Sequence, residues 1–237
     1  MKNKYSFLAL ILFLLLLSVP QSREKKADIS WRAVREGISF VKHHQPILGS
    51  ISLDMFAVIF AGATALLPVY ADEILKVGPE GYGFLRSAMA MGTLSMAVVL
   101  MTVRPFQRPG RALLVAVLLF GIATIVFGLS RSMTLSVLAF IVAGMADQVS
   151  MTARSVIIQL STPDSLRGRV SAVNFIFIGA SNELGDAESG FLASFTSATF
   201  SVVSGGFICL GVLGWVAARM PELRNYRPEE ASTPGLR

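Results

Sequence analysis

Apolar residues form seven runs along the chain, separated by stretches that are polar or rich in proline and glycine. Six runs are long enough for a transmembrane helix, which needs about 20 residues, and the first run is shorter. The runs cover residues 7–19, 47–70, 82–103, 112–129, 134–158, 170–192 and 199–218. A membrane barrel would instead alternate over segments of about ten residues. The pattern therefore predicts an all-α membrane protein with six long transmembrane helices and a short N-terminal hydrophobic helix.

Composition supports a membrane protein and argues against metal or cofactor chemistry. Of the 237 residues, 53% are hydrophobic and 15% are charged, whereas a soluble domain has about 25% charged residues. The single cysteine, Cys209, excludes an intrachain disulfide and a cysteine-based metal cluster. His43 and His44 are adjacent, so they point apart on a helix, and no third ligand lies near them in sequence. We therefore predict no metal site and no cofactor.

The distribution of Lys and Arg predicts the orientation in the membrane, because basic residues are retained on the cytoplasmic side during insertion. The loops 20–46, 104–111, 159–169 and 219–237 hold 15 of the 21 basic residues, and the opposite loops hold 4. The first set is therefore expected in the cytoplasm, with the C-terminus, in a multi-pass protein of the inner or plasma membrane. The basic residues form no stripe interleaved with aromatic residues, so the net charge of +6 does not indicate nucleic acid.

The first apolar run has two interpretations. Lys2 and Lys4 before a leucine-rich core and small residues near Ser22 are typical of a signal peptide. Cleavage there would leave the basic stretch 23–42 outside, against the charge distribution of the other loops. We favour an incomplete membrane helix and keep the signal peptide as the alternative.

An amphipathic helix is predicted between the first two runs. Trp31, Val34, Ile38 and Val41 recur at helical spacing, and Ser30 is a candidate cap. Such a helix lies in the headgroup layer with an aromatic anchor, or it packs on the bundle as an ordinary amphipathic helix. Both alternatives stay open from the sequence.

Ionisable residues within the apolar runs are the candidates for function, because a charge in the membrane is costly unless it faces a cavity or a partner. They are Asp54, Arg86, Asp147, Arg154, Glu183, Asp186 and Glu188. Their depth predicts one layer of Asp54 and Arg154, with Asp147 two turns from Arg154 on the same helix face. Arg86, Asp186 and Glu188 are expected in a second layer. The two layers suit either static helix pairing or the gates of a transport pathway.

An acidic excess predicts a proton carrier. Five acids face two arginines in these runs, so at least one acid is expected to hold a proton near neutral pH. Glu183, beside Asn182 near the middle of its run, is the first candidate, and Asp147 is the second. The alternative for Glu183 is a carboxylic acid that is hydrogen-bonded across a helix contact.

Three stretches resemble a known transporter family. Residues 154–174 read RSVIIQLSTPDSLRGRVSAVN, residues 178–185 read IGASNELG, and residues 221–224 read PELR. They resemble the region of helices 10 and 11, and the C-terminal end, of major facilitator superfamily exporters in the enterobactin-exporter branch. The resemblance implies that the six long runs correspond to helices 7 to 12 and the short first run to the end of helix 6. It implies a cytoplasmic loop motif of Asp164, Arg167, Gly168 and Arg169. It also adds Asn174 to Glu183, Asn182 and Asp147 on the substrate or proton pathway.

The resemblance covers only half of that family's twelve-helix unit. The signature between helices 2 and 3 is absent with the first half, and the loop 104–111 lacks the acidic residue of its counterpart. In this fold each half holds inverted three-helix repeats and the substrate lies between the halves. The chain is therefore expected to supply one wall of a pathway, with a second copy or a separate N-terminal half as its partner.

These observations predict four parts and one leading function. The parts are a short hydrophobic segment at 1–19, a loop with an amphipathic helix at 20–46, a six-helix bundle at 47–218 and a cytoplasmic tail at 219–237. The leading function is proton-coupled efflux of an unknown small molecule, as a half or truncated transporter. A non-transporting membrane fragment or partner subunit is the alternative. A membrane-embedded enzyme is disfavoured, because no nucleophile and base are recognisable.

Overall fold

The computed structural model describes residues 31–103 and 106–228, which form helices and no strands in these two ranges. The first apolar run, its two interpretations, Ser30 and the last residues of the predicted tail lie outside the described residues. So does Arg104 in the loop that resembles a family signature.

Five of the six long apolar runs each coincide with one helix to within about six residues, and the run 47–70 begins as α2 and continues beyond Ala61 in shorter turns. The helices are α1 (Trp31–His43), α2 (Gln45–Ala61), α3 (Gly78–Thr102), α4 (Pro109–Leu129), α5 (Met133–Ser161), α6 (Asp164–Phe195), α7 (Ala198–Arg219) and α8 (Pro221–Asn225). Proline stands in the first turn of α2, α3, α4 and α8, where its missing N–H costs no hydrogen bond. At the start of α7, the Ser197 hydroxyl accepts a hydrogen bond from the Phe200 N–H at 3.1 Å.

Five helical segments are long and apolar enough to cross a membrane. They are Gln45–Ile74, Gly78–Thr102, Pro109–Leu129, Met133–Ser161 and Ala198–Arg219. The first of these is α2 together with its continuation beyond Ala61. The sixth long helix, α6, has 32 residues but carries charged side chains along its length, so its composition is less apolar than that of the others. It nevertheless lies alongside α2 and α7 in the same bundle. The prediction of an all-α membrane protein is confirmed.

Backbone contact between small residues holds α3 against α5. A Cβ atom on Gly92 would lie 2.1 Å from the Ile141 carbonyl oxygen, and one on Gly144 would lie 2.1 Å from the Met89 carbonyl oxygen. The Thr93 hydroxyl donates across the same contact to the Gly144 carbonyl at 3.2 Å. In a membrane the hydrophobic effect does not drive helices together, because the lipid is as apolar as the side chains. Small residues and hydroxyl groups of this kind allow close packing and hydrogen bonds between helices instead.

Large apolar side chains cover the outside of the bundle. On α3, Phe84 is 68% exposed, Leu94 68% and Met101 84%. On α6, Phe175, Phe191 and Phe195 are also exposed. An apolar surface of this extent is incompatible with water. It matches the lipid environment of a membrane protein.

The amphipathic helix α1 packs on the first part of α6. Val41 is buried in a cluster with Val170 and Val173. Gly37 lies so close to α6 that an added Cβ would meet the Arg169 carbonyl oxygen at 3.0 Å, and Glu36 forms an ion pair with Arg169. The structure thus favours packing on the bundle over a helix free in the headgroup layer. The Trp31 side chain is outside the described part of the structure.

Candidate functional site

A break in the second apolar run shapes the interior of the bundle. Helix α2 ends at Ala61, and the chain continues as a 3₁₀ turn (Ala63–Leu66), a short helical turn (Leu67–Val69) and a π-helical turn (Tyr70–Ile74). The carbonyls freed at the break find partners on other helices. The Thr124 hydroxyl donates to the Ala61 carbonyl at 3.3 Å, and the Ser189 hydroxyl donates to the Gly62 carbonyl at 3.5 Å. Non-helical backbone inside a membrane needs such partners.

The break lies at Gly62 and not at Pro68, the proline of the same apolar run. At Gly62 the backbone has φ −75° and ψ 88°, and a Cβ there would lie 2.6 Å from the Val58 carbonyl oxygen. Glycine is the residue that fits this close approach. Pro68 instead stands in the first turn of the short helix that follows.

An ion pair between Asp54 of α2 and Arg154 of α5 joins these two helices in the interior. Asp54 is 7% exposed and Arg154 is 4% exposed. The Ser150 hydroxyl donates a further hydrogen bond to Asp54 at 3.4 Å. The Arg154 Nε has no hydrogen-bond partner in the described structure. The two residues that the sequence placed at one depth are therefore in contact.

Asp147 lies on α5 two turns before Arg154, a distance of about 10 Å along the helix axis. Its carboxyl is within electrostatic reach of both Asp54 and Arg154. Unlike them it is only half-buried. It therefore connects the buried ion pair with a cavity that opens beside it.

That cavity, which we call the Gly62 cavity, has a volume of about 160 Å³. Its lining is mostly apolar, and its polar members are Thr64, Thr124, Asp147 and Asn182. The wall residues include Phe120, Ala123, Phe127, Ala139 and Phe140. Thr64 and Asn182, which are exposed, stand at its mouth together with Asp147. The cavity lies at the break, between the end of α2, α4 and α5.

A wider cleft of about 780 Å³ lies along α3, mainly between this helix and residues 64–68 after the break, with Asp186 of α6 also in its lining. Arg86 of α3 and Asp186 of α6 both line this α3–α6 cleft. Arg86 donates to the Tyr82 hydroxyl at 2.9 Å, and within the described ranges it has no ion pair with Asp186 or Glu188. Glu188 instead accepts a hydrogen bond from the Ser189 hydroxyl at 3.5 Å. Of the second predicted layer, Arg86 and Asp186 thus share a cleft without an ion pair in the described ranges, and Glu188 is not among the residues that line it.

The remaining pathway candidates lie on α6. Glu183 is exposed, next to Asn182 at the mouth of the Gly62 cavity. Asn174 is half-buried, and its side-chain oxygen has no hydrogen-bond partner among the described residues. Asp147 and Asn182 are thus brought to one cavity, whereas Asn174 lies more than two helical turns earlier on α6.

The predicted loop motif is not a loop. Asp164, Arg167, Gly168 and Arg169 form the first turns of α6, and the connection from α5 is only Thr162 and Pro163. The expectation of a loop is wrong because Pro163 directly precedes the first helical residue and starts the helix earlier than the apolar run does. Arg167 and Asp164 form an exposed ion pair at 2.9 Å, and Arg169 holds α1.

Metal ligands are not clustered in the part of the chain that the structure describes. No group of three His, Cys, Asp or Glu side chains there has the arrangement to hold a metal ion. The Nδ1 atoms of His43 and His44 lie 2.7 Å and 2.9 Å from backbone carbonyls one turn earlier. Cys209 is buried in the bundle.

Sequence reasoning missed the Gly62 cavity, because its wall is made of ordinary apolar residues. Phe127 and Phe140 come from different helices, and their meeting depends on how α4 and α5 pack. The one local signal was Gly62 with Thr64 two residues later, both weak helix formers, inside an apolar run.

The chain matches a family model described as transmembrane secretion effector over residues 1–233. The enterobactin exporter EntS of Escherichia coli K12 is 26% identical over 185 residues, which are 77% of this chain and 44% of that exporter. The EntS exporters of Escherichia coli O1:K1 and O139:H28 align with the same identity and coverage. The chain thus spans about half the length of these relatives. No solved structure matches it significantly.

Proposed function

The chain belongs to the transmembrane secretion effector family of the major facilitator superfamily, and on that premise we propose that it exports small molecules as one half of a proton-coupled transporter. The family and the enterobactin exporters that resemble the chain support a role in transmembrane efflux. The substrate of those exporters is not assigned to this chain, since one fold carries many solutes. For this chain we propose a small organic molecule that enters the α3–α6 cleft.

The proposal of proton coupling is supported by one observation, the position of Asp147. Asp147 stands inside an apolar bundle, beside a cavity and within reach of the Asp54–Arg154 pair. A carboxyl in this position changes its charge when it takes up a proton, and the neighbouring ion pair responds to that charge. We therefore propose that Asp147 exchanges protons, with Glu183 passing them along the exposed face of α6.

We propose a second wall of the pathway because α6 exposes acidic side chains. Glu183 and Asp186 are exposed on a membrane-embedded helix, and acids at that depth face a cavity or a partner rather than lipid. A second six-helix bundle against α3 and α6 would cover them and enclose the cleft. The proposed orientation keeps the basic end of the bundle, with α1 and α8, in the cytoplasm.

Proton-linked transport in everted membrane vesicles tests this proposal. Vesicles that contain the protein are energised, and a panel of fluorescent small molecules is added while the internal pH is followed. We expect compound uptake to discharge the proton gradient, and Glu183→Gln to reduce that discharge. The matched control is Glu222→Gln on α8, away from the cleft. If the parent protein moves no compound, the non-transporting alternative is supported. Chemical conversion of a compound in the absence of a proton gradient would instead favour an enzyme.

The size of the chromosomally encoded protein tests whether a second six-helix bundle belongs to the same polypeptide. A copy tagged at its C-terminus is blotted from native membranes. A band near twice 25.5 kDa places both bundles in one polypeptide. A band near 25.5 kDa requires crosslinking to a partner chain through α3 or α6. Full transport by a protein that neither exceeds this size nor crosslinks would contradict a second bundle.

A further inference from the structure

We propose that a cleft at one end of the bundle binds a phosphate diester that carries a primary ammonium, as in the headgroup of phosphatidylethanolamine. The cleft lies between the turn from α1 to α2, the connection from α5 to α6, and helix α8 with the residues that follow it. We call it the α5–α8 cleft, and its volume is about 1100 Å³. It is lined by residues 44, 46, 160–164, 167, 221, 222 and 225–227. This site is separate from the Gly62 cavity and the α3–α6 cleft, so it does not depend on transport.

The α5–α8 cleft lies at the depth of lipid headgroups. Three membrane-crossing segments have their ends beside it, because Gln45–Ile74 begins there and Met133–Ser161 and Ala198–Arg219 end there. Leu160 lines the cleft and is 46% exposed, so it offers an apolar contact to the glycerol end of a lipid. Sites for small molecules measure about 300–1,000 Å³. The cleft is at the upper limit of that range and has room for a headgroup with its glycerol.

A buried hydroxyl group without a partner points to a bound ligand. Thr162 follows the last residue of α5 and is 3% exposed. Its Oγ1 has no hydrogen-bond partner among the described residues. Buried polar atoms in folded proteins are nearly always hydrogen-bonded, so each exception needs an explanation. Because Thr162 lines the α5–α8 cleft, a phosphate oxygen in the cleft is a suitable acceptor for this hydroxyl.

A second hydroxyl group in the lining has a proton to donate. The Tyr226 oxygen accepts a hydrogen bond from the Ser161 hydroxyl at 2.8 Å. That bond uses a lone pair of the phenol and leaves its own proton for another acceptor. Thr162 and Tyr226 come from different parts of the chain and line the same cleft. Together they offer two neutral donors to the oxygens of one phosphate.

The start of α6 supplies charges of both signs. Arg167 and Asp164 form an ion pair at 2.9 Å, with side-chain exposures of 53% and 87%. Both line the cleft. A ligand with a phosphate and an ammonium can lie antiparallel to this pair, with its phosphate at the guanidinium and its ammonium at the carboxylate. The pair need not break, because each charge then has two neighbours of opposite sign. No side chain caps the N-terminus of α6, and its positive dipole also favours a phosphate.

The charge balance of the lining selects a zwitterion over an anion. Two basic and two acidic side chains line the cleft, so its net charge is zero when the histidine is neutral. A phosphate without an ammonium would meet the two carboxylates and lose part of its attraction to the arginines. A primary ammonium offers three hydrogen-bond donors, whereas the trimethylated ammonium of choline offers none. The cleft therefore suits an ethanolamine headgroup better than a glycerol or choline headgroup.

Native mass spectrometry of the full chain tests lipid selectivity. The protein is purified in detergent and stripped of lipid, and the dioleoyl lipids of ethanolamine, choline and glycerol are titrated into it separately. All three carry the same acyl chains and a phosphate diester, so they differ in the group attached to the phosphate. We expect the first ethanolamine lipid to bind about tenfold more tightly than either other lipid, because only it can donate a charged hydrogen bond to Asp164.

Substitutions at the cleft test its location. Thr162→Val keeps the shape of the side chain and should weaken ethanolamine-lipid binding about fivefold, the contribution of one hydrogen bond. The lipid-free variant should be at least as stable as the parent in detergent-induced unfolding, because an unpartnered hydroxyl is removed. Arg167→Gln should weaken binding at least tenfold, since it removes a charged phosphate donor. Thr102→Val is the matched control. Thr102 ends α3, is exposed and bonds to the Val99 carbonyl of its own helix, so binding should not change.

Competition with glycerophosphoethanolamine, the headgroup without acyl chains, separates two sources of the same chemistry. Displacement of the lipid at a similar concentration assigns the site to a soluble ester. Displacement only at a far higher concentration assigns it to the lipid. Equal binding of all three lipids would overturn the proposal. An ethanolamine preference that survives both Thr162→Val and Arg167→Gln would overturn it as well. If a variant does not fold, the comparison of the three lipids in the parent protein still decides.

Discussion

Asp54 and Arg154 form an ion pair across 100 positions of sequence, and both side chains are buried. The pair ties α2, about two helical turns before its break at Gly62, to the helix that carries Asp147. Its charges are removed from water and lipid, so each depends on the other for compensation. This relationship makes the pair a structural support for the cavity as well as a neighbour of the proposed proton site.

Breaking the pair on one side should destabilise the bundle strongly. Asp54→Asn leaves Arg154 buried without its partner, and removing one member of a buried pair costs about 3–5 kcal/mol. Detergent-induced unfolding, followed by circular dichroism, measures the loss. The double variant Asp54→Asn with Arg154→Gln should recover a large part of it, because no uncompensated charge remains. An Asp54→Asn protein as stable as the parent would show that the pair is not needed for the fold.

Neutralising Asp147 should uncouple transport from protons with little effect on folding. Asp147→Asn keeps the size of the side chain at the mouth of the cavity and removes the group that exchanges a proton. Compound movement driven by a pH gradient in vesicles should fall at least tenfold, while the amount of folded protein stays near that of the parent. Asp72→Asn is the matched control, since Asp72 is an exposed acid in the π-helical turn (Tyr70–Ile74) and belongs to none of the candidate sets. Equal losses in the two variants would remove the special role of Asp147.

The contact between α3 and α5 should tolerate no methyl group at Gly144. Gly144→Ala brings a Cβ to 2.1 Å from the Met89 carbonyl oxygen, so the two helix backbones must separate. We expect a loss of about 1–3 kcal/mol, the usual cost of overpacking. Gly179→Ala on α6 is the control, because nothing lies within 4 Å of its added Cβ. That variant should be neutral or more stable by up to about 1 kcal/mol, since alanine favours a helix.

The end of α8 should lose stability at alkaline pH. Burial raises the pKa of the Tyr226 phenol above its ordinary value of 10.0, although the hydrogen bond from the Ser161 hydroxyl partly opposes this shift. A raised pKa in the folded state means that the stabilisation is complete below pH 10 and is lost as the pH rises through the folded-state value. Unfolding measured between pH 8 and 12 should therefore show a shallower alkaline decline for Tyr226→Phe. Ser161→Ala removes the hydrogen bond but keeps the phenol, so its decline should persist.

The helices were predictable from sequence because each long apolar run alone satisfies the length that a membrane demands. The Asp54–Arg154 contact was suggested by depth, since both residues lie a similar distance from the same end of their runs. The position of the helix break was not predictable, because a proline is a stronger local signal for a break than Gly62. The aromatic wall of the cavity depends on packing between α4 and α5, which no local pattern encodes. The cleft between Arg86 and Asp186 depends likewise on the separation of α3 and α6.

Direct measurement of proton exchange during export tests the central claim. The purified protein, with any partner that copurifies, is reconstituted into liposomes that hold a pH-sensitive dye, and a compound identified in the vesicle screen is added. We expect compound and protons to move in opposite directions in the parent protein, and proton movement to stop in Asp147→Asn. Compound movement at the parent rate without any change in internal pH would contradict it.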